Sequence, residues 1–424
     1  MFYAVVDCDN CFVSCERVYR PDLNGKPVVV LSNNDGCVVS RSNEAKKLGI
    51  KMGTPYFQMR EHFSEDVVTA FSSNYELYSN LTAGVMDIIK DAAPEYFRYS
   101  IDEAFCILSG MDHFDLRKWG LDLRNKILES TGLPVSIGIA RTKTLAKMAS
   151  HYAKKYKGYQ HCCMIDSDEK CERALRLYPV EEVWGIGRRY FARLKNMDIK
   201  TAYDFASHTR SWVRMTFNVM AERTWMELHG IDCVPNDDMK SRHKTICCSR
   251  SFATMTDNKD TLRAYIANFA SYCAKKLRGE GSVAATVEVF LYTNRYRTDL
   301  AQYYPCKEIK LLTPTNLTIP IVHAAGECLD MIYREHYLFK KAGVILGNIT
   351  SNAGIQTNFL DDDIDKQFRM KRLDDVVDSI NQKIGRDLVT LGAQQYETHD
   401  GKVWTSGIAD IANHRLKSKI TNIL

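Results

Sequence analysis

Two short stretches decide the expected fold: FYAVVDCD at residues 2–9 and SIDEAF at residues 100–105. The first is rich in strand-forming residues and reaches its first acid at Asp7. The second fits the tip of a hairpin between two strands. Because a strand end and a hairpin tip of one sheet can be neighbours, the sequence predicts that Asp7 lies close to Asp102 and Glu103.

Three carboxylates at one place repel each other, so they need a cationic partner to stay ionised. Hard oxygen ligands favour Mg²⁺, and two such ions about 4 Å apart form a clamp for phosphoryl transfer. The alternative at this point is that Asp102 and Glu103 serve only the turn of the hairpin, because acidic residues are common in turns.

Strands and helices are expected to alternate through residues 1–165, as in an α+β sheet with helices packed on it. Residues 168–235 are mainly helical in pattern, and strand-like runs return between residues 243 and 350. The individual expectations are a strand at residues 28–31, a hairpin at 33–36, a helix at 42–48 closed by Gly49, a helix at 116–129 and a strand at 135–139.

Basic side chains near the acids would suit a nucleoside triphosphate. Ser40, Arg41 and Lys46 are expected at the start of a helix, where backbone N–H groups and cations can meet phosphates. Lys143 and Lys147 are four residues apart on one expected helix face. Each is compatible with a solvated surface lysine, but together with the acids they predict a positive wall for phosphates.

Composition limits the class of protein. The chain has 424 residues, of which 45% are hydrophobic and 26% are charged. These values exclude disorder, collagen and coiled coil as the main architecture, and the length indicates two or three domains. No apolar run reaches the roughly 18 residues that a membrane helix needs, and the N-terminus lacks the basic region of a secretion signal. We therefore expect a cytoplasmic protein without a membrane partner.

The 14 cysteines are expected to be reduced thiols, because the chain is long and carries no secretory signal. Cys8, Cys11 and Cys15 are close in sequence, but a fourth ligand at metal spacing is missing nearby, which disfavours zinc.

Charge is unevenly distributed along the chain. Residues 241–350 contain 15 Lys and Arg against 9 Asp and Glu, whereas the rest of the chain carries a net charge of −1. A basic segment on a neutral body fits a module that faces phosphates or, on charge alone, equally a lysine-rich solvated surface.

Several segments together resemble the Y-family translesion DNA polymerases, in particular their UmuC branch. The resemblance rests first on DCDNCFVSCE at residues 7–16 and SIDEAF at residues 100–105, and it runs from residue 1 to about residue 360. The other matching segments, in chain order, are VLSNNDGCV at 30–38, FSSNYELY at 71–78, KTLAK at 143–147, WGIGRR at 184–189 and ICCSRSF at 246–252.

The resemblance implies an α+β multidomain fold of the right-hand polymerase type. It would contain a ferredoxin-like palm, small fingers, a helical thumb with a helix-hairpin-helix and an α/β little finger that binds DNA. The implied boundaries are palm 1–22 and 75–167, fingers 23–74, thumb 168–236, little finger 243–350 and a C-terminal tail 351–424 with a sliding-clamp motif.

The resemblance also implies a two-metal catalytic site. Asp7, Asp102 and Glu103 would be the catalytic acids and would bind two Mg²⁺ ions, with the backbone carbonyl of Cys8 completing one metal shell.

The incoming nucleotide would meet residues from the first helices. Phe12 falls at the family's steric gate, where a flat ring leaves no room for a ribonucleotide 2′-hydroxyl. Triphosphate contacts would come from Ser40, Lys46 and Lys147. Many relatives have Tyr and Arg where this chain has Asn43 and Lys46, and Lys is a point charge without the bidentate fork of Arg.

DNA contacts are implied in two places. Gly185 and Gly187 would belong to the helix-hairpin-helix, which holds a DNA phosphate without reading sequence. Asp198 stands where that motif commonly has Gly, which weakens the contact there. Contacts of the little finger to the DNA backbone are assigned to Arg250, Arg295 and Arg297.

Protein partners are implied as well. Gln356, Phe359 and Leu360 resemble a peptide that binds a sliding clamp, although the usual Leu-Phe order is reversed and an ordinary exposed linker is the alternative. Relatives of the UmuC branch act with a cleaved UmuD-type dimer and with RecA, so these partners are implied besides primer-template DNA and dNTP.

The implied function is template-directed, error-prone translesion DNA synthesis in DNA repair and SOS mutagenesis, by transfer of dNMP to a primer 3′-hydroxyl. One alternative is a nucleotidyl cyclase-like enzyme, which also places paired acids on a similar sheet. The other is a non-catalytic DNA-binding scaffold. The basic segment 241–350 counts against the first alternative, and the intact acids count against the second.

Overall fold

The computed structural model describes residues 1–33, 35–111, 113–235, 243–353, 364–384 and 387–394. The chain divides into two compact units near residue 239. Within these ranges, no helix is both long enough and apolar enough to cross a membrane.

The first unit mixes strands and helices. Its strands are β1 Tyr3–Cys8, β2 Val28–Leu31, β3 Val38–Arg41, β4 Thr69–Ser72, β5 Glu95–Arg98, β6 Glu103–Ile107, β7 Val135–Ala140 and β8 Cys162–Ile165. Its helices are α1 Cys11–Tyr19, α2 Asn43–Lys47, α3 Tyr56–His62, α4 Tyr75–Ala92, α5 Leu116–Thr131, α6 Lys143–Lys155, α7 Asp168–Leu177, α8 Arg188–Asn196, α9 Ala202–Ala206, α10 Arg210–Thr216 and α11 Val219–Leu228.

The larger sheet of this unit has the strand order β5-β6-β1-β7-β8, with β1 antiparallel to both of its neighbours. Side chains of a strand alternate between the two faces of the sheet. Tyr3 and Val5 join the core that α6 covers, whereas Ala4 and Val6 join the core that contains α4 and α5. The same alternation places Asp7 on the α6 face, at the end of the strand.

A smaller sheet with the order β3-β2-β4 has a core of its own. The expected strand at residues 28–31 and the antiparallel return strand are confirmed. The expected helix is confirmed as α2, whose N-cap Ser42 accepts a hydrogen bond from the Ala45 backbone N–H. Gly49 follows the helix with a φ of +82°, a conformation that glycine adopts without strain.

The second unit contains a sheet with the order β11-β10-β12-β9, and β13 pairs with β10. Helices α12 and α13 share a hydrophobic core with this sheet. The strands are β9 Ile246–Thr256, β10 Ser282–Thr293, β11 Cys306–Thr315, β12 Phe339–Gly347 and β13 Thr350–Ser351, and the helices are α12 Lys259–Gly279, α13 Thr318–Ile332 and α14 Ile364–Ile384.

Helix α14 is held to the second unit by charged side chains. Arg278 of α12 forms hydrogen bonds with both carboxylate oxygens of Asp378, at 2.7 and 3.0 Å, and lies 3.4 Å from Asp374. Asp374 also accepts a hydrogen bond from the Thr318 backbone N–H. The first part of the expected C-terminal tail therefore contains a helix that is docked on α12 and α13.

Candidate active site

The structure brings the three predicted acids together at the end of β1. Asp7 is the register partner of Glu103 in the β1–β6 pair, and the Cys8 backbone N–H donates to the carbonyl of Asp102 at 3.0 Å. Ser100 Oγ, in the hairpin between β5 and β6, donates to the carboxylate of Asp102. The expected meeting of a strand end with a hairpin is confirmed, except that Glu103 is the first residue of β6.

The electrostatics of Asp7 reflect this crowding. Burial raises the pKa of Asp7 to about 6, the positive charge of Lys154 opposes the rise, and the negative charges of Glu103 and Asp102 add to it. The acids therefore form a concentrated negative site that attracts cations.

Two lysines of α6 occupy this site. Lys154 Nζ lies 2.7 Å from Asp7 Oδ1, and Lys147 Nζ lies 2.8 Å from Glu103 Oε1. Although burial opposes it, Asp7 raises the pKa of Lys154. The sequence expectation named Lys147 but missed Lys154, which is seven residues later and hence on the same helix face.

Lys143 does not belong to the positive wall, so that expectation is wrong. It is a buried side chain whose Nζ lies 3.1 Å from Asp232 Oδ1 and 2.8 Å from the carbonyl of Val234. The ammonium also lies 4.2 Å from the centre of the Tyr3 ring. Lys143 thus fixes the chain after α11 against β1, and a phosphate has no access to it.

Asp9 is a fourth acid in this region. It accepts a hydrogen bond from Ser136 Oγ at 2.8 Å, lies 3.1 Å from His161 Nδ1 and lies 3.7 Å from Lys154 Nζ. Lys154 is therefore shared between Asp7 and Asp9.

Lys46 faces the same site from α2. Its Nζ donates to Asn10 Oδ1 at 2.6 Å and to Asn43 Oδ1 at 3.4 Å. Burial lowers the pKa of Lys46, and the neighbouring cations Arg41 and Lys154 lower it further. Asp9 and Asp7 act in the opposite direction and raise the pKa of Lys46, so Lys46 is near enough to Lys154 and to these carboxylates for their charges to act on it.

Ser40 and Arg41 lie in β3, so the expectation that they begin a helix is wrong. Pairing of Arg41 with Val29 of β2 extends the strand to Arg41, and Ser42 starts the helix as its N-cap. Ser40 Oγ lies 3.4 Å from both the Asn10 carbonyl and the Val13 backbone N–H, which places it beside the β1–α1 connection.

Phe12 lies in the first turn of α1 and is supported by two rings of α4. It stacks on Tyr78 with ring centroids 4.6 Å apart and an interplanar angle of 16°, and the edge of Tyr75 lies 5.4 Å away. The hydroxyl of the buried Tyr78 donates to Glu16 Oε1 at 2.6 Å. The stacked ring of Tyr78 and the edge of Tyr75 therefore fix the position of the Phe12 ring.

The buried carboxyl of Glu16, which accepts a hydrogen bond from Tyr78, makes the stability of the protein depend on pH. Burial raises the pKa of this carboxyl from 4.5 to about 7, so the folded state binds a proton more tightly than the unfolded state. Stability contributed by the protonated carboxyl is present below pH 4.5 and is lost as the pH rises through 7. Glu16→Gln changes the free energy of unfolding by an amount that depends on pH. We expect this change to be more favourable at pH 8 than at pH 5, by on the order of 2 kcal/mol. Urea unfolding of the full chain at the two pH values measures this difference.

Glu44→Gln is the matched control for that experiment. Arg17 lies 2.9 Å from Glu44 and helps to lower its pKa, so Glu44→Gln should destabilise at pH 8. An equal effect of Glu16→Gln at pH 5 and pH 8 would contradict the assignment of a buried, proton-binding carboxyl.

Gly185 and Gly187 of the predicted hairpin lie in the loop before α8. Gly185 has a φ of +94°, and a Cβ atom there would lie 2.5 Å from Thr224 Oγ1. Gly187 is the N-cap of α8. Asp198 has a φ of +58°, the left-handed conformation for which glycine is the usual residue, and Lys200 pairs with it at 2.8 Å.

The three candidate arginines of the second unit have different surroundings. Arg250 of β9 lines a cavity together with Phe269 of α12 and Asp378 of α14. Arg295 and Arg297 lie in the exposed β10–β11 loop, where Arg295 donates to Tyr296 and Arg297 pairs with Asp299 at 2.6 Å. The loop pair is thus the more accessible to a phosphate backbone.

The predicted clamp-binding residues Gln356, Phe359 and Leu360 lie outside the described residues. The 14 cysteines are free thiols, and most of them are buried.

The acids fit a divalent metal by the chemistry of their donors, since three carboxylates supply hard oxygens at one place. In the described residues, no three His, Cys, Asp or Glu side chains form a group that could hold a metal ion as they stand. Lys154 holds Asp7, so metal binding at Asp7 requires the Lys154 side chain to move. Lys147 can stay on Glu103, because a carboxylate has enough lone pairs to accept from an ammonium and a metal ion together.

Comparison with known proteins agrees with this geometry. The profile of the impB/mucB/samB family matches residues 6–151, and the profile of the family's C-terminal domain matches residues 243–359. Protein UmuC of Salmonella typhimurium is 40% identical over 394 residues, which cover 92% of this chain and 93% of that protein. DNA polymerase IV of Dehalococcoides mccartyi is 28% identical over 67% of this chain and 72% of that protein.

Solved structures show the same fold. A Y-family DNA polymerase chimera of Dbh and Dpo4 aligns with a TM-score of 0.64 at 20% identity, over 83% of this chain and 100% of that chain. The expected right-hand, α+β multidomain fold is confirmed.

Proposed function

The chain belongs to the impB/mucB/samB family, and we propose that it is a DNA-directed DNA polymerase for error-prone translesion synthesis. It transfers dNMP from a dNTP to a primer 3′-hydroxyl and releases pyrophosphate. The observation that carries this proposal is the meeting of Asp7 with Asp102 and Glu103 beside two cations of α6. A relative and a structural neighbour that are both DNA polymerases support it.

The acids and the lysines divide the work of the reaction. Asp7, Asp102, Glu103 and the Cys8 carbonyl would hold two Mg²⁺ ions, which when bound activate the attacking hydroxyl and neutralise the leaving pyrophosphate. Lys154 then leaves Asp7 for the negative triphosphate.

The nucleotide pocket is completed from α1, β3 and α2. Lys46 approaches the triphosphate from α2, and Ser40 fixes the β1–α1 connection beside it. Phe12 lies under the sugar of the incoming nucleotide. Lys147, in contact with Glu103, orients that carboxylate and adds positive charge.

We propose domain bounds that match the order of these elements. We assign the larger sheet of the first unit to the palm (1–22 and 75–167), the smaller sheet to the fingers (23–74) and α7–α11 to the thumb (168–236). The sheet and helices of residues 243–350 form the little finger, and 351–424 the C-terminal region.

DNA is held by its backbone, which suits an enzyme that must bind any sequence. The hairpin at Gly185 and Gly187 and the exposed Arg295 and Arg297 make these contacts, with Arg250 as a further predicted contact from β9.

Partners and location extend the proposal. We infer binding of a sliding clamp through Gln356, Phe359 and Leu360, and action with a UmuD-type dimer and RecA in the SOS response, which places the protein in the cytoplasm. The support is the sequence of residues 356–360 and the 40% identity to Protein UmuC.

Primer extension tests the activity directly. With Mg²⁺, dNTPs and a primer-template that contains one abasic site, we expect elongation up to and past the lesion, assayed with and without a cleaved UmuD-type dimer and RecA. The control reaction contains nucleotide alone. A cyclic nucleotide product would show a cyclase, and DNA binding without elongation under both conditions would show a scaffold.

A further inference from the structure

A tryptophan in the loop before α8 reaches across to the larger sheet of the same unit. Trp184 Nε1 donates a hydrogen bond to the hydroxyl of Tyr99 at 3.2 Å. Its ring lies edge-on to Tyr99 at 5.7 Å between centroids and at 5.8 Å from the ring of Phe105 on β6. The loop is thus attached to the strand that begins with Glu103.

The same rings surround the ammonium of Lys147. Its Nζ lies 4.3 Å from the centre of the Tyr99 ring, 5.1 Å from that of Trp184 and 5.6 Å from that of Phe105. The faces of aromatic rings attract cations. These three rings therefore form a cage that restricts where the ammonium can lie. Lys147 and Glu103 are both largely buried, and their ion pair at 2.8 Å is shielded from solvent.

The backbone beside Trp184 is equally constrained. Thr224 Oγ1 donates to the Trp184 carbonyl at 3.4 Å and leaves no space for a side chain at Gly185. Two residues further, Gly187 caps α8. The indole is therefore rigidly connected to the hairpin that is proposed to hold a DNA phosphate.

We infer that Trp184 is a positioning residue, which acts through Tyr99 and Lys147 to fix the orientation of Glu103 and so couples the hairpin of the thumb to the carboxylate site. This inference rests on the proposed function. The physical reason is that the indole of Trp184 forms one wall of the cage around Lys147. Without that wall Lys147 has more positions open to it, and the carboxylate that it contacts is less well oriented for a divalent cation.

Trp184→Ala is the decisive variant. Residues that orient a metal-binding side chain typically change metal affinity by 10–100-fold, so we expect the variant to need about 10-fold more Mg²⁺ for half-maximal primer extension. Calorimetric titration of the DNA-free protein with Mg²⁺ should show a matching loss of affinity, which does not depend on catalysis. Trp184→Phe keeps a ring against Lys147 and should recover most of the affinity.

Trp212→Ala is the matched control, because that ring packs within the helical part of the unit, on His208 at 3.9 Å and on Phe217 at 6.0 Å. It should leave the Mg²⁺ requirement unchanged. Equal Mg²⁺ affinity of wild type and Trp184→Ala, or an equal loss in Trp184→Ala, Trp184→Phe and Trp212→Ala, would overturn the inference. A wild type that binds Mg²⁺ but extends no primer would remove the polymerase proposal, and the titration would still decide the role of Trp184.

Discussion

Replacing Asp102 by Asn is expected to lower templated primer extension by at least about 1,000-fold, because the proposed two-metal site would lose one of the charges that hold its ions. Asn has nearly the same shape as Asp, and its side-chain oxygen can still accept the hydrogen bond from Ser100. The expected loss is therefore one of charge at an intact hairpin. Single-nucleotide insertion at saturating dNTP, measured for the wild type and the variant, gives the ratio of rates.

Asp87→Asn provides the control for this prediction. Asp87 is an exposed residue of α4, so the same chemical change should leave the rate of insertion near that of the wild type. Thermal unfolding of both variants separates a loss of catalysis from a loss of fold. Equal insertion rates for the wild type and Asp102→Asn would remove the assignment of the acids.

The acidic site could be predicted from the sequence because it depends on short-range rules. A strand ends near the acid at residue 7, a hairpin presents the acids at 102 and 103, and alternation along β1 and β6 puts Asp7 and Glu103 on one face. These relations need only local patterns and one correct strand pairing.

The lysines of α6 show where such rules stop. Lys143, Lys147 and Lys154 share one side of the helix, and periodicity does not say which of them meets the acids. The answer depends on Asp232, which lies 89 residues after Lys143 and neutralises it in a buried pair. A contact between such distant positions leaves no signal in the local pattern.

Helix α14 was not predicted from the sequence, for a different reason. Its inward side carries Asp374 and Asp378, which pair with Arg278, whereas Leu373 and Val376 are exposed. Pattern-based reasoning expects the apolar side of a helix to face the core, and here the docked side is polar. The helix is specified by an ion pair, which hydrophobic periodicity does not detect.

The second large effect is expected on the choice between ribonucleotides and deoxynucleotides. Phe12→Ala is expected to raise the efficiency of ribonucleotide insertion relative to deoxynucleotide insertion by about 100-fold, since a close steric contact of this kind discriminates by up to about two orders of magnitude. The ring cannot move aside in the wild type, because Tyr78 is stacked against it and is itself held by Glu16. The measurement is kcat/KM for an rNTP and for the matching dNTP opposite one template base.

Phe12→Tyr is the control variant, because it keeps an aromatic ring at position 12. It keeps the flat surface and should keep the sugar ratio of the wild type, whereas Phe12→Ala should lose that ratio while still inserting dNTP. If both variants retained the wild-type ratio, Phe12 would be only a packing residue of the α1–α4 contact. The 2′-hydroxyl would then be excluded by a group other than this ring.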